Sequence, residues 1–362
     1  MRRAEPEPEQ TRQPVGIRTV ATNAIKAALA VVALWWVARG VSLSELAATW
    51  KAADRGLLAA AIAVFLVTPV LQGVRLRRLL VAQGSAISLS ESIWLAFAGN
   101  FMNFAVPVGS TSGDVFKAAY LGRRMDDSWT VVVTTFTDRA IGVATLLFTV
   151  TGIALAAGPG SVLAPLRAPL VGLSLTILAG VATLRFARLD ERTARRFEKL
   201  PFSALVSRTA DAVRRSLESP RAVGLAILDT LGIQVAAAAS FLLIAVALGF
   251  RLTPADGLDL YAFFSAGEIV KALPGPPQGF GTLEAAYGLF FREWATTSQI
   301  VSAAFAIRVV NLVCSLPGIA LAFENRPFLG IDTSRPIWWR RNPRTQAQTS
   351  DLGRAAGLVT ER

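Results

Sequence analysis

The apolar residues of this chain come in runs long enough to cross a bilayer, and this limits its fold more than any other feature. Runs at about 18–38, 57–79, 129–157, 165–187, 221–249 and 299–323 each supply the roughly 20 residues a membrane-spanning helix needs. Lipid offers no partner for backbone N–H and C=O groups, so these runs must be helices. Composition agrees: 53% of the 362 residues are hydrophobic, 17% are charged, and mean hydropathy is +0.47. A soluble domain carries about 25% charged residues. The expected fold class is an all-α integral membrane protein, a polytopic helical bundle with about six full spans.

The formal net charge is +12. The basic residues flank the apolar runs, as the positive-inside rule requires, so this charge is no argument for nucleic acid. Arginine clusters at 75–78, 123–124, 188–220 and in the tail place both termini in the cytoplasm, in a bacterial inner membrane. The organisation expected is a disordered N-terminus over 1–16, a membrane domain over 17–325 with a cytoplasmic helical loop at 188–220, and a basic cytoplasmic tail over 326–362. The first apolar run is too long for a cleavable signal peptide. Trp35-Trp36 and Trp338-Trp339 read as interfacial anchors. Cys314 is the one cysteine, so there is no disulfide framework. With no histidine, a His proton relay, a His-ligated metal and a Ser-His-Asp triad are excluded. No cofactor or metal is expected.

Two further apolar segments, 88–125 and 257–297, are broken in the middle. The first contains Pro107-Val108-Gly109-Ser110-Thr111-Ser112-Gly113-Asp114; the second contains Pro274-Gly275-Pro276-Pro277-Gln278-Gly279-Phe280-Gly281. Proline deletes a donor and glycine loosens the chain, so neither can continue as helix through lipid. Each reads as a hairpin of two short helices whose irregular tip must be shielded by protein or a wet cavity. By charge topology the first hairpin enters from the inside and the second from the outside, the pattern of an inverted-repeat transporter. An ungapped match of Pro107 to Pro274 sets Lys117-Ala118-Ala119-Tyr120 on Glu284-Ala285-Ala286-Tyr287. After a two-residue insertion Phe136-Thr137-Asp138-Arg139 falls on Phe305-Ala306-Ile307-Arg308, and Ala98-Gly99-Asn100 lies near Ala266-Gly267-Glu268.

The run from Asn100-Phe101-Met102-Asn103-Phe104 to Pro107, then Gly113-Asp114-Val115-Phe116-Lys117-Ala118, then Asp138-Arg139-Ala140-Ile141-Gly142, is similar to the core motif of the flippase-like membrane proteins. That family includes the transmembrane part of lysylphosphatidylglycerol synthases. Leu273-Pro274 through Gly279-Phe280-Gly281-Thr282-Leu283-Glu284 resembles its second motif. The chain departs from the pattern at Ser112, where a glycine is expected, and at Pro276-Pro277, where small polar residues are expected. The resemblance implies a multi-pass protein that moves or binds a phospholipid or a polyprenyl-linked lipid. The 37 residues after 325 are too few for the synthase's soluble transferase domain, so aminoacyl transfer is not implied.

Charge inside a span costs about 2.5–3.5 kcal/mol on insertion scales, so such residues are functional candidates. Here they are Asp114, Lys117, Asp138, Arg139, Glu268, Lys271, Glu284 and Arg308. Arg139 and Arg308 occupy equivalent repeat positions, and a guanidinium holds a phosphate in bidentate fashion. The structural alternative is ion pairing, of Arg139 with Asp114 or Asp138 and of Arg308 with Glu268 or Glu284. Lys117 and Glu284 read either as a gate pair or as residues snorkelling to an interface, with snorkelling favoured for Lys117. Asn100 and Asn103 share a helix face and either line a cavity or bridge helices, bridging being the commoner role. Gly109, Gly113, Gly275, Gly279 and Gly281 serve tip geometry, and the helices opening after the tips have N–H groups able to meet a phosphate.

The sequence therefore points to a lipid transporter, not an enzyme, whose partner is a membrane phospholipid or polyprenyl-phosphate lipid. A second copy of the chain or a neighbouring synthase is the protein partner it admits. The alternatives are an integral-membrane lipid-modifying transferase and a non-catalytic scaffold for a lipid or glycan synthase.

Overall fold

A computed structural model describes residues 43–85, 87–105, 111–125, 127–158, 161–186, 219–272 and 277–320. The 1–16 terminus, the 18–38 run, the 188–218 stretch, the tail, both tryptophan pairs, and Gly109 and Gly275 lie outside them. The described helices are α1 (Leu43–Ala52), α2 (Arg55–Phe65), α3 (Val67–Ala82), α4 (Leu89–Ala105), α5 (Ser112–Gly122), α6 (Ser128–Ala156), α7 (Arg167–Phe186), α8 (Pro220–Ala247), α9 (Gly257–Ala272), α10 (Thr282–Phe290) and α11 (Thr297–Ser315). Five helical stretches among them are long and apolar enough to cross a membrane: Arg55–Ala82, Trp129–Ala156, Ala164–Thr183, Pro220–Ala247 and Thr297–Gly318. The protein is a multi-pass all-α membrane bundle, and these five match five of the expected spans.

The first of them is two helices, α2 and α3, joined at Leu66. Pro69 explains the joint: its missing N–H leaves the Phe65 carbonyl without its helical donor. Thr134, Thr135, Thr145 and Thr151 of α6 return their hydroxyls to the carbonyl four residues back, which satisfies them without water.

The broken segments form the expected hairpins, α4 with α5 and α9 with α10. Their second arms are short, 11 and 9 residues, or about 16 and 13 Å of rise. The Asp54 N–H donates to the Ala247 carbonyl at 3.1 Å, which puts the start of α2 beside the end of α8. The α9–α10 hairpin begins there. The α4–α5 hairpin begins after α3, at the far end of that first span. The two hairpins therefore enter from opposite faces. Their packing is reciprocal: α4 lies against α11, and α9 lies against α6.

Close backbone approach holds each hairpin shut. A Cβ on Gly113 would fall 2.1 Å from the Gly99 carbonyl oxygen, and one on Gly267 would fall 2.3 Å from the Tyr287 ring. Where lipid supplies no hydrophobic drive between helices, such contacts supply the dispersion that holds them together. Around the second hairpin the ring centroid of Phe241 lies 5.0 Å from that of Phe264, 5.2 Å from Tyr287 and 5.3 Å from Phe291, which braces α9 and α10 on α8.

Candidate functional site

The two hairpins and the spans α3, α6, α8 and α11 enclose a cavity of about 280 Å³. Asn100, Asn103, Asp114, Lys117, Asp138, Arg139, Glu268 and Arg308 all line it, as do Arg75, Lys271 and Gln278. Most of the sequence candidates thus converge in one place, while Gly113, Gly279, Gly281 and Glu284 are not among the lining residues, and the pairings differ from several of those expected.

Asp114 is the third residue of α5, and Glu284 is the third residue of α10. Arg139 Nη1 meets Asp114 Oδ2 at 2.6 Å, and Arg308 Nη1 meets Glu284 Oε1 at 2.6 Å. In each half, then, the arginine of the following span grips the first turn of the hairpin's second arm. This corrects the ungapped register: Glu284 takes the place of Asp114, not of Lys117, because the second hairpin reaches its helix three residues later. The gate pair of Lys117 with Glu284 does not form. Lys117 does not snorkel away either; its Nζ lies 2.8 Å from Asp114 Oδ1, at the cavity wall.

Two other expected partners are engaged elsewhere. Glu268 Oε2 meets Lys271 Nζ at 2.5 Å rather than Arg308. Asp138 binds Arg75 rather than Arg139: Arg75 Nε and Nη2 donate to its two oxygens at 2.6 and 3.0 Å, and Arg75 Nη1 donates to Thr230 at 2.9 Å. Arg75 is a site residue that sequence reasoning assigned to the cytoplasmic flank. Helix α3 runs on to Ala82, which leaves Arg75 two turns inside and 7% exposed. Asp229, on α8, was also passed over; its Oδ2 lies 3.3 Å from Arg78 Nε. Acidic residues inside two other spans, Asp138 and Asp229, were the available signal, since buried carboxylates require cations.

The two repeat-equivalent arginines are not alike in exposure. The Arg308 side chain is 5% exposed and saturated. Besides Glu284 it donates to the carbonyls of Gln278 at 3.3 Å, Gly279 at 3.1 Å and Ala304 at 3.0 Å, and it stacks 4.3 Å over Phe280. It holds the tip of the second hairpin, where Gln278, Gly279 and Gly281 all have positive φ, of 53°, 63° and 81°. The Arg139 side chain is 25% exposed.

The tips also use their own donors. Gly113 N–H donates to Asn103 Oδ1 at 2.7 Å, and Gly281 N–H donates to Glu284 Oε2 at 2.8 Å. The helix N-termini that were candidate phosphate cradles are therefore capped by protein groups at these positions. Gln278 Nε2 donates to the Asn103 carbonyl at 3.1 Å, which ties the two hairpins tip to tip. Asn100 donates to Gln72 at 3.0 Å and bridges α4 to α3 while facing the cavity.

The charge balance of the wall follows from these pairs. Arg75 with Asp138, Lys271 with Glu268 and Arg308 with Glu284 are each one to one. Asp114 faces two cations, Lys117 Nζ at 2.8 Å and Arg139 Nη1 at 2.6 Å. Apolar side chains share the wall with these charges: Phe65, Leu146, Ala237 and Phe264 line it beside Glu268, Lys271 and Arg308.

No individual curated protein matches the chain. The family model described as the lysylphosphatidylglycerol synthase TM region matches residues 23–318, a stretch that takes in every described element from α1 to the turn after α11, and the chain belongs to that family of membrane proteins linked to lipid metabolism.

Proposed function

We propose that the protein is a lipid-binding transporter of the flippase type, which holds the phosphate of a phospholipid or polyprenyl-linked lipid between Lys117 and Arg139. The observation that carries this reading is a cavity whose wall sets Arg75, Lys117, Arg139, Lys271 and Arg308 beside the apolar side chains of Phe65, Leu146, Ala237 and Phe264. A ligand complementary to it is an amphiphile with an anionic head. The volume of about 280 Å³ sits at the lower edge of the ~300–1,000 Å³ typical of small-molecule pockets. It admits a headgroup and leaves the acyl or prenyl chains outside, in the bilayer.

Two hairpins entering from opposite faces and joined at their tips supply a means of alternating access. Parting of the Gln278–Asn103 contact would open the cavity, and rocking of one half against the other would change the face to which it opens. The reading takes both termini to lie in the cytoplasm of a bacterial inner membrane, which the arginine-rich segments support through the positive-inside rule.

The test is native mass spectrometry of gently extracted protein. Wild type is expected to retain an anionic lipid that the double variant Lys117→Gln/Arg139→Gln loses while staying monodisperse. Identical lipid profiles in both would remove the phosphate site and favour the scaffold reading.

A further inference from the structure

The cavity carries polar atoms that none of the ion pairs uses. Thr68 Oγ1, Gln234 Nε2, Ser265 Oγ and Glu268 Oε1 are buried, belong to residues of the wall, and have no hydrogen-bond partner among the described residues. Thr68 is 2% exposed, Gln234 7% and Ser265 1%. Asp114, Asp138 and Glu268 are the described carboxylates on that wall. Both oxygens of Asp114 and both of Asp138 meet cations. Glu268 meets Lys271 through Oε2 and leaves Oε1 free. A carboxylate oxygen only accepts, so this free one is a place for a proton.

Other polar groups lead to it. Tyr261, Ser265 and Glu268 follow one another at four and three residues along α9, so they share one face of that helix. They stand about 6, 12 and 16 Å of rise from its start, which is at the face where the second hairpin enters. Gln234 of α8 and Thr68 of α3 line the cavity with Ser265 and Glu268, and Gln234 Oε1 accepts from the Tyr261 hydroxyl at 2.8 Å. Buried polar atoms that protein leaves unmet are met by water, and a cavity of about 280 Å³ has room for it. A hydrated polar file therefore runs from that face to Glu268 Oε1.

The other charged groups around Glu268 are engaged. From α3 and α6 come Arg75 and Asp138, bound to each other, and Arg139, bound to Asp114 as Lys117 of α5 is. On the side of α10 stand Tyr287 and Glu284, the latter held by Arg308 of α11. Asp229 of α8 pairs with Arg78. Asp256 and Asp259 stand at the start of the file, about 13 Å of rise or more away. Lys271, 20% exposed and on the cavity wall, is the cation an incoming anion can draw from Glu268. Glu268 is then a carboxylate without a cation, and its neutral acid form needs none. We propose that Glu268 takes up one proton when an anionic ligand draws Lys271 away, so that proton and ligand occupy the cavity together; this rests on the phosphate-binding reading above. The proton comes from water in the polar file and adds to Oε1, and its charge offsets that of the anion. Each then strengthens the binding of the other, and a proton gradient across the membrane can drive the ligand.

The experiment follows the protonated-carboxyl infrared band of the full chain in phosphatidylcholine nanodiscs, titrated from about pH 9 to about pH 4. Wild type should show a band that Glu268→Gln lacks and Asp229→Asn keeps. The anionic probe is phosphatidylmethanol, a phosphodiester whose charge is constant over that range. Adding it to the discs should raise the ratio of protonated to ionised Glu268 about tenfold at a fixed pH. Lys117→Gln/Arg139→Gln, which removes the phosphate contacts but keeps Glu268 and Lys271, should show only the rise that the surface potential of the discs causes, which acts on wild type and variant alike. Absence of a Glu268-dependent band would overturn the proposal, and so would an equal response to the probe in wild type and the double variant. Native mass spectrometry of the same samples keeps the two readings apart. Lipid lost from the double variant without a Glu268 response in wild type sinks the coupling and leaves the phosphate site standing; lipid retained by the double variant removes both. If Glu268→Gln fails to fold, wild type still decides, because no carboxyl band rising on addition of the probe overturns the proposal.

Discussion

Replacing Arg308 by leucine should unfold the second hairpin rather than merely empty the cavity. The guanidinium makes two bonds to Glu284, at 2.6 and 3.1 Å, and three to the carbonyls of Gln278, Gly279 and Ala304. Removing it strands a carboxylate that is 6% exposed, and breaking a buried pair in this way costs about 3–5 kcal/mol. It also releases a tip held at three consecutive or near-consecutive positive φ angles, one of them on Gln278, a non-glycine residue. The double variant Arg308→Leu/Glu284→Leu removes the stranded charge, so it should recover about 1–3 kcal/mol relative to Arg308→Leu alone. Arg308→Lys keeps the charge but has a point-like ammonium in place of a fork, and should fall between. The assay is reversible unfolding of purified protein in mixed micelles, with lipid retention measured on the same samples. If Arg308→Leu lost its lipid with a stability change under about 1 kcal/mol, or if the double variant were less stable than the single one by the full sum, the locking role assigned to Arg308 would be wrong.

Other outcomes follow from the same geometry. Gly113→Ala places a Cβ 2.1 Å from the Gly99 carbonyl oxygen, and the first hairpin should not assemble; Gly152→Ala, with nothing within 4 Å, is the neutral control, and expression as a monodisperse species separates the two. Asp138→Leu strands Arg75, itself 7% exposed, and should destabilise by about 3–5 kcal/mol in the same unfolding assay, with Arg75→Leu/Asp138→Leu milder than either single change. In a Cys314→Ala background, cysteines at the exposed positions Ser88 and Ala255, just before α4 and α9, should be labelled from opposite faces by an impermeant thiol reagent; labelling of both from one face would refute the opposed hairpins.

The length and order of the apolar runs determined the membrane bundle directly, because hydrocarbon leaves a backbone few solutions. The same holds for the two hairpins: Pro107 through Gly113 and Pro274 through Gly281 are incompatible with continuous helix at that depth, whatever surrounds them. The sequence alone also picked out every charged residue that lines the cavity except Arg75, since charge inside a span requires a purpose or a partner. What it left open was which charge meets which. Arg139 had two possible carboxylates and Arg308 had two, and an offset of three residues between the hairpin tips decided that Asp114 and Glu284 are the equivalents. Arg75 was hidden because a charge near the end of an apolar run looks the same whether its helix stops there or continues two turns further. The meeting of two cations at Asp114, and the unmet polar atoms of Thr68, Gln234, Ser265 and Glu268, belong to no local pattern. They arise from packing four spans and two hairpins about one void, where a side chain's role depends on how many of its neighbours, from distant parts of the chain, already satisfy it.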